Sequence, residues 1–276
     1  MESKVCVVTG ANSGIGKAMA TELARRGARV VMVCRNPDKG EAARRAIVEA
    51  SGNDAVELER ADLSSLAEVR DVAVRLARRE RIDVLMNNAG LYLPERQRSP
   101  EGHEMMLAVN HLAPFLLTHL LLDSLKAARG RVVTTSSVGH RFTTGSLDDL
   151  HAERRYVPIV HYGVTKLANI LFTRELARRH GDDGITAHCF HPGAVRTGFA
   201  QDEPGLFQSF VRLGRAFLRS PEKGGETGVY LASDPAVTRT NGRYFVDKRP
   251  RRPSRAARDR RRAARLWDQS RELVGI

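Results

Sequence analysis

Thr9-Gly10-Ala11-Asn12-Ser13-Gly14-Ile15-Gly16 is a glycine-rich turn set between two contrasting patterns. Before it, Val5-Cys6-Val7-Val8 is short, apolar and largely β-branched, the composition of a strand buried on both faces. After it, Lys17 to Arg26 is rich in helix formers and carries Met19, Leu23 and Ala24 on one side. A strand therefore runs through a glycine turn into a helix. At such a junction the missing side chains let backbone N–H groups approach a pyrophosphate, and the helix N-terminus adds partial positive charge. The spacing is Gly-x-x-x-Gly-x-Gly rather than Gly-x-Gly-x-x-Gly, so the stretch would also serve as a plain tight turn, and the rest of the chain has to decide.

Outward from this turn, strand and helix patterns alternate. Strands are predicted at Ala28 to Arg35, Ala55 to Arg60, Ile82 to Met86, Arg131 to Ser136 and Ile185 to Phe190. Helices are predicted from about Lys39 to Ala50, from a Ser64 cap to about Glu80, over a long run from about Pro100 to Lys126, and from about His161 to His180. Buried strands alternating with helices argue an α/β fold: one doubly wound parallel sheet, Rossmann in type, in a single domain covering 1–247, followed by a basic segment and C-terminal helix over 248–276. Ligands of such sheets lie at the carboxyl ends of the strands. The unusual polar residues fall there: the glycine turn, Arg35, Asp62 with Leu63 beside it, Asn87-Asn88-Ala89-Gly90, Ser136-Ser137 and Pro192-Gly193.

The chain has 276 residues and a formal charge of +13, but from Lys248 to Arg262 nine basic residues face one acid, so much of the excess is local. The first strand begins within a few residues of Met1, which leaves no room for a signal peptide and leads us to expect a cytoplasmic protein. Three cysteines, Cys6, Cys34 and Cys189, fall in predicted strands without metal-ligand spacing, as buried free thiols in a reducing compartment would. Nine histidines show no paired ligand spacing within a helix, so no metal is expected. The absence of a Gly-x-Ser-x-Gly elbow disfavours a serine hydrolase. The apolar run Leu112 to Leu122 is too short to span a bilayer and reads as a buried helix.

Two groups of residues carry chemistry. Arg35 ends the second strand, near where an adenosine ribose would lie; an acid there would bond a 2′-hydroxyl, whereas an arginine suits a 2′-phosphate. Asp62 is placed to accept from an adenine amino group, or to cap the following helix. Tyr162 and Lys166 lie four apart in a predicted helix and share a face, with Ser137 at the same sheet edge. A phenol of pKa about 10 is a poor base at neutral pH, but a neighbouring ammonium favours the phenolate. Tyr156 has Val160 at the corresponding position and forms no such pair.

Taken together, Thr9-Gly10-x3-Gly14-Ile15-Gly16, Asn87-Asn88-Ala89-Gly90, Asn110, Ser137, Tyr162-x3-Lys166 and Pro192-Gly193-x-Val195-x-Thr197 resemble the short-chain dehydrogenase/reductase family across nearly the whole chain. The runs Thr9 to Lys17, His161 to Asn169, Leu171 to Leu176 and Arg265 to Asp268 are similar to its retinol dehydrogenase-like branch. The resemblance implies that Tyr162 is a general acid/base, that Lys166 lowers its pKa and binds the nicotinamide ribose, that Ser137 orients a substrate carbonyl and that Asn110 holds a water in a proton relay. It implies further that Gly10, Ser13, Gly14, Ile15, Gly16, Asn88, Ala89, Gly90, Pro192, Gly193, Val195 and Thr197 line the dinucleotide.

The expectation is an NADP(H)-dependent oxidoreductase acting on an apolar, retinal-like carbonyl or its alcohol. The rival reading is a nucleotide-binding scaffold whose basic segment, expected to be solvated and mobile, binds nucleic acid or an anionic surface; the complete Asn110, Ser137, Tyr162 and Lys166 set argues against it. A basic amphipathic helix is expected from Leu206 to Leu218, serving as a substrate lid near 198–220, as a helix packed on the core, or as a face for peripheral membrane contact. The long apolar helix and the Tyr162 helix offer surfaces for pairing into a homo-oligomer.

Overall fold

The structure, a computed structural model, describes residues 1–143, 146–195 and 218–276. Its strands are β1 (Val5–Thr9), β2 (Arg29–Cys34), β3 (Val56–Arg60), β4 (Val84–Asn87), β5 (Arg131–Thr135), β6 (Thr186–His191), β7 (Arg243–Val246) and β8 (Arg249–Arg251). Its helices are α1 (Gly14–Arg25), α2 (Pro37–Ser51), α3 (Leu66–Ala77), α4 (Met105–Leu120), α5 (Leu122–Ala128), α6 (Pro158–His180), α7 (Pro221–Ser233) and α8 (Arg260–Val274). The sheet runs β3-β2-β1-β4-β5-β6-β7-β8, parallel as far as β7, with β8 antiparallel at the edge. The chain winds outward from β1 to β3, returns to β4 beside β1 and winds the other way, so a crevice opens at the carboxyl ends of β1 and β4.

Strand alternation feeds two cores. Cys6, Val8, Val30, Met32, Met86 and Phe190 pack against α1, α2 and α7, while Val7, Val31, Leu85 and Val132 pack against α3, α4, α6 and α8. The cysteines are free and buried, and burial pushes the Cys34 thiol up to about 11.

Four sequence expectations are corrected. The cap of α3 is Ser65, not Ser64: its side chain accepts from the Glu68 amide, while Glu68 reaches back to the Asp62 amide at 2.9 Å. The long helix begins at Met105, where Glu104 caps it, contains a π turn over Ala108–Leu112, and bends by 63° into α5 at Leu121. The helix carrying Tyr162 starts three residues earlier than expected, with Pro158 in its first turn. The basic segment is ordered structure: β8 returns against β7, Ala257 is fully buried, and Asp259 caps α8 through the Arg261 and Arg262 amides.

Helix α8 lies over α4 and α6, against the apolar faces the sequence offers for pairing between subunits. Its Trp267 ring sits 5.0 Å from Phe115 and 6.1 Å from Phe172, and the Arg179 guanidinium caps it at 4.9 Å. Among the described residues no single helix is long and apolar enough to cross a membrane; the bent pair α4 and α5 passes that test by length and composition, and Leu112 to Thr118 of this pair is buried in the core.

Candidate active site

At the nucleotide end, Gly10 and Gly14 take φ of +66° and +53°, a region that favours glycine. A Cβ on Gly16 would lie 2.2 Å from the Gly10 carbonyl oxygen and 2.6 Å from Asn88 Nδ2, so only glycine lets α1 press this closely on the turn. Ser13 is the exposed N-cap of α1, yet its side chain makes no cap bond, and the first turn holds no acid to compete with an anion. Thr9 Oγ1 accepts from the Asn88 and Ala89 amides at 3.0 Å each, Asn88 Nδ2 donates to Thr9 O at 3.0 Å, and Asn88 Oδ1 accepts from Thr135 at 3.3 Å. One side chain thus ties the ends of β1, β4 and β5. Ile15 and Val195 meet across Gly224, where a Cβ would lie 2.6 Å from Val195 Cγ2 and 3.4 Å from Ile15 Cγ1.

Arg35 stands exposed just beyond β2 and has no hydrogen bond or ion pair among the described residues. Asp62 Oδ1 accepts from the Ser64 amide at 2.9 Å and its hydroxyl at 2.8 Å, a local turn role beside the adenine contact expected of it. The Leu63 side chain is 8% exposed and belongs to the core. At the other end, Gly193 follows Pro192 with φ +89°, and its missing Cβ makes room for Arg219 Cδ at 2.7 Å; Arg219 is held by Asp247. Thr197 and the lid helix from Leu206 lie outside the described residues, apart from Leu218.

Between these ends, α6 and β5 assemble the reactive groups. Ser137 lies two residues beyond β5 and caps a 3₁₀ turn, Val138–Arg141; its Oγ accepts from the Gly139 amide at 3.0 Å and bonds to the Tyr162 hydroxyl. Close approach is possible because Gly163 faces Gly139: a Cβ there would lie 2.6 Å from the Gly139 carbonyl. Lys166 Nζ lies 5.5 Å from the centre of the Tyr162 ring and donates to Thr135 O at 3.4 Å. Lys166 is 3% exposed, and burial pulls its pKa from 10.5 to about 8. Burial pushes the Tyr162 phenol above its ordinary value, against the lowering expected from Lys166, and the bond with Ser137 offsets only part of this. Ser136 Oγ donates to Lys166 O at 2.8 Å, a supporting bond between strand and helix.

Asn110 occupies the π turn, a local widening that recurs at functional sites. Its Nδ2 donates to Leu91 O at 3.0 Å and Thr165 Oγ1 at 3.1 Å, and its Oδ1 accepts from the Leu91 amide at 2.8 Å. Asn110 Oδ1 and Lys166 Nζ both face Gly90, whose missing Cβ would lie 3.1 Å and 3.4 Å from them. The space a Cβ would fill at Gly90 and the uncapped helix start at Ser13 are features that suit the two ends of a dinucleotide.

Several contributors escaped the sequence reading. Glu104, fully buried, meets His161 Nε2 at 2.6 Å and so anchors the residue before Tyr162. Tyr92 packs edge-on to Tyr162 at 5.9 Å. His111, beside Asn110, bonds through Nε2 to Ser270 Oγ of α8 at 2.9 Å, and burial lowers its pKa to about 4, so it stays neutral. Thr165 was findable, since it stands three residues after Tyr162 and one before Lys166. Among the described residues no group of three His, Cys, Asp or Glu side chains is placed to hold a metal.

A glycine turn under a helix N-terminus and a Ser, Tyr, Lys cluster on one doubly wound sheet define a class of nicotinamide-dependent oxidoreductases, and comparison with known proteins agrees. The short chain dehydrogenase family model matches residues 4–204. The chain is 43% identical to dehydrogenase/reductase SDR family member 13 of Bos taurus, over all of this chain and 74% of that one. It is 42% identical to retinol dehydrogenase 12 of Mus musculus, over 99% of this chain and 87% of that one. Among solved structures, an uncharacterised protein from Mycobacterium paratuberculosis superposes with a TM-score of 0.80 at 35% identity, covering 99% and 94% of the two chains. L-sorbose reductase from Gluconobacter frateurii, complexed with NADPH and L-sorbose, gives 0.71 at 26% identity over 89% and 95%. A 3-ketoacyl-(acyl-carrier-protein) reductase from Brucella melitensis, complexed with NADH, gives 0.68 at 26% over 88% and 96%. The chain belongs to the short-chain dehydrogenase/reductase family, in its retinol dehydrogenase-like branch.

Proposed function

We propose that this oxidoreductase uses NADP(H) to interconvert an apolar, retinal-like aldehyde or ketone and its alcohol. The observation that carries the reading is the Tyr162 hydroxyl bonded to Ser137 with the Lys166 ammonium over its ring. The dinucleotide, when bound, supplies or accepts the hydride. The protein holds the carbonyl and moves the proton. Ser137 Oγ accepts from the Gly139 amide, so its one hydrogen is left to donate: to the Tyr162 oxygen as the site stands, and to a carbonyl oxygen that enters beside Tyr162. Burial keeps Tyr162 protonated, the form needed to deliver a proton as the carbonyl oxygen gains charge. Lys166 brings positive charge to the same oxygen and has a donor to offer a ribose hydroxyl across Gly90. Asn110, locked to Leu91 and Thr165, holds the wall through which protons are resupplied.

Arg35 supports the choice of NADP(H): it is exposed, lacks a partner among the described residues, and stands where a 2′-phosphate would need a cation. The buried free thiols support a reducing, cytoplasmic setting as part of the same proposal. The test is oxidation of NADPH and of NADH across a panel of short and long aldehydes and ketones, including retinal, with Tyr162→Phe in parallel. General acid catalysis contributes about 10²–10⁴-fold, so the variant should lose at least that lower figure while binding NADPH normally. Near-normal turnover by Tyr162→Phe would overturn the role assigned to the phenol.

A further inference from the structure

The Ser137 carbonyl oxygen carries a contact that the oxidoreductase reading does not use. His140 Nδ1 lies 2.6 Å from it, while the other ring nitrogen, Nε2, accepts from the Ser254 amide at 3.2 Å. A backbone N–H can only donate, so Nε2 must carry a lone pair, and the single proton of the neutral ring must then sit on Nδ1, aimed at Ser137. The ring is 1% exposed and wedged edge-on against Tyr244 at 5.3 Å, which fixes its plane. Burial pulls its pKa down, the bond to the Ser137 carbonyl opposes this and the Arg141 charge adds to it, and the net shift is downward, toward the neutral ring. The His140 amide also reaches the Ser137 carbonyl, at a longer 3.3 Å. The segment around Ser254 is held to the same turn a second time, where Arg141 donates to Arg252 O at 3.0 Å.

We propose that His140 is a positioning residue for Ser137: the segment after β8 fixes the imidazole tautomer through the Ser254 amide, and the resulting Nδ1–H holds the Ser137 backbone so that its hydroxyl meets Tyr162. This gives the basic C-terminal segment a role in the site, with an internal partner. The inference rests on the reading of Ser137 as the carbonyl-orienting group.

Two isosteric substitutions separate the two ends of the ring. An asparagine amide nitrogen takes the place of Nδ1, so His140→Asn keeps the bond to Ser137 and loses the one to Ser254. A glutamine amide oxygen takes the place of Nε2, so His140→Gln does the reverse. Expected are kcat within about threefold of the parent for His140→Asn and a loss of about tenfold or more for His140→Gln, with the dissociation constant of NADPH unchanged in both. Hydrogen exchange at the Ser254 amide should accelerate in His140→Asn and not in His140→Gln, the opposite order. A merely structural role makes kcat follow melting temperature or Ser254 protection; either pattern, or equal kcat in the two variants, overturns the proposal. If neither variant folds, the nitrogen-15 spectrum of the unaltered protein decides, since His140 protonated on Nε2 instead of Nδ1 excludes the arrangement. Tyr162→Phe assayed alongside distinguishes the two failures: activity retained there overturns the oxidoreductase role of Tyr162, while the tautomer and exchange measurements still report on the His140 contact.

Discussion

Replacing Lys166 with methionine should make the folded chain more stable while turnover falls. The drop in the Lys166 pKa from 10.5 to about 8 corresponds to roughly 3 kcal/mol that burial of the ammonium costs the native state at neutral pH. The compensation visible in the structure is small: a long bond to Thr135 O at 3.4 Å, and a carbonyl that keeps a second donor, Asn169 Nδ2, at 3.2 Å. Losing one such bond costs about 1 kcal/mol, so methionine, of similar length and no charge, should gain about 2 kcal/mol near pH 7. The gap closes as pH rises, and from about pH 10 upward, where the burial cost has gone and only the lost bond of about 1 kcal/mol remains, the sign reverses. Between about 8 and 10.5 the unfolded chain keeps the lysine proton and the folded chain releases it, so the stability of the parent rises across that window while the variant has no such term. Urea unfolding of both proteins at about pH 7 and about pH 10, without added dinucleotide, reads the difference from midpoints at equal slopes. A variant less stable at neutral pH, or a gap of the same size at both, refutes the reasoning.

Arg35→Asp should weaken NADPH binding by roughly ten- to a hundredfold, the range for loss of a charge-assisted bond, and leave NADH unchanged or improved; equal losses by titration would remove Arg35 from the site. Gly163→Ala places a methyl 2.6 Å from the Gly139 carbonyl and should separate Tyr162 from Ser137, lowering kcat far more than NADPH affinity. Trp267→Ala, by emptying the contact with Phe115 and Phe172, should cost about 3–5 kcal/mol in denaturant unfolding, with a value under about 1 kcal/mol arguing that α8 is not part of the core.

The fold was legible because its signals are local. A β-branched run, a glycine turn and a helix pattern occupy neighbouring residues, and the repetition of that unit implies the parallel sheet. Tyr162 and Lys166 were legible for the same reason, being one helical turn apart. What escaped depends on partners distant in sequence. The π turn at Asn110 is drawn out by bonds to Leu91 and Thr165, and no residue within it announces the widening. The Glu104 to His161 contact joins residues 57 apart. The β7–β8 hairpin hid behind its chemistry: Asp247 and Lys248 adopt φ of +51° and +59°, a turn usually marked by Asn-Gly, and here its second residue is a lysine in a run of arginines that reads as a solvated tail. Composition alone suggested disorder where backbone pairing supplies order.

Helix α8 also sets an order of events during synthesis. Phe115, Phe172 and the π turn beside Asn110 present an apolar surface as soon as α4 and α6 pack, yet Trp267, Leu266 and Ser270, which cover it, follow much later along the chain and leave the ribosome after both helices. Until they arrive, the nascent domain carries an open aromatic face of the kind that recruits chaperones or other unfinished chains. A chain cut short before Arg260 would therefore hold every residue of the Ser137, Tyr162 and Lys166 cluster and still lack the lid on its core. Closure of this core thus waits on the fifteen residues of α8.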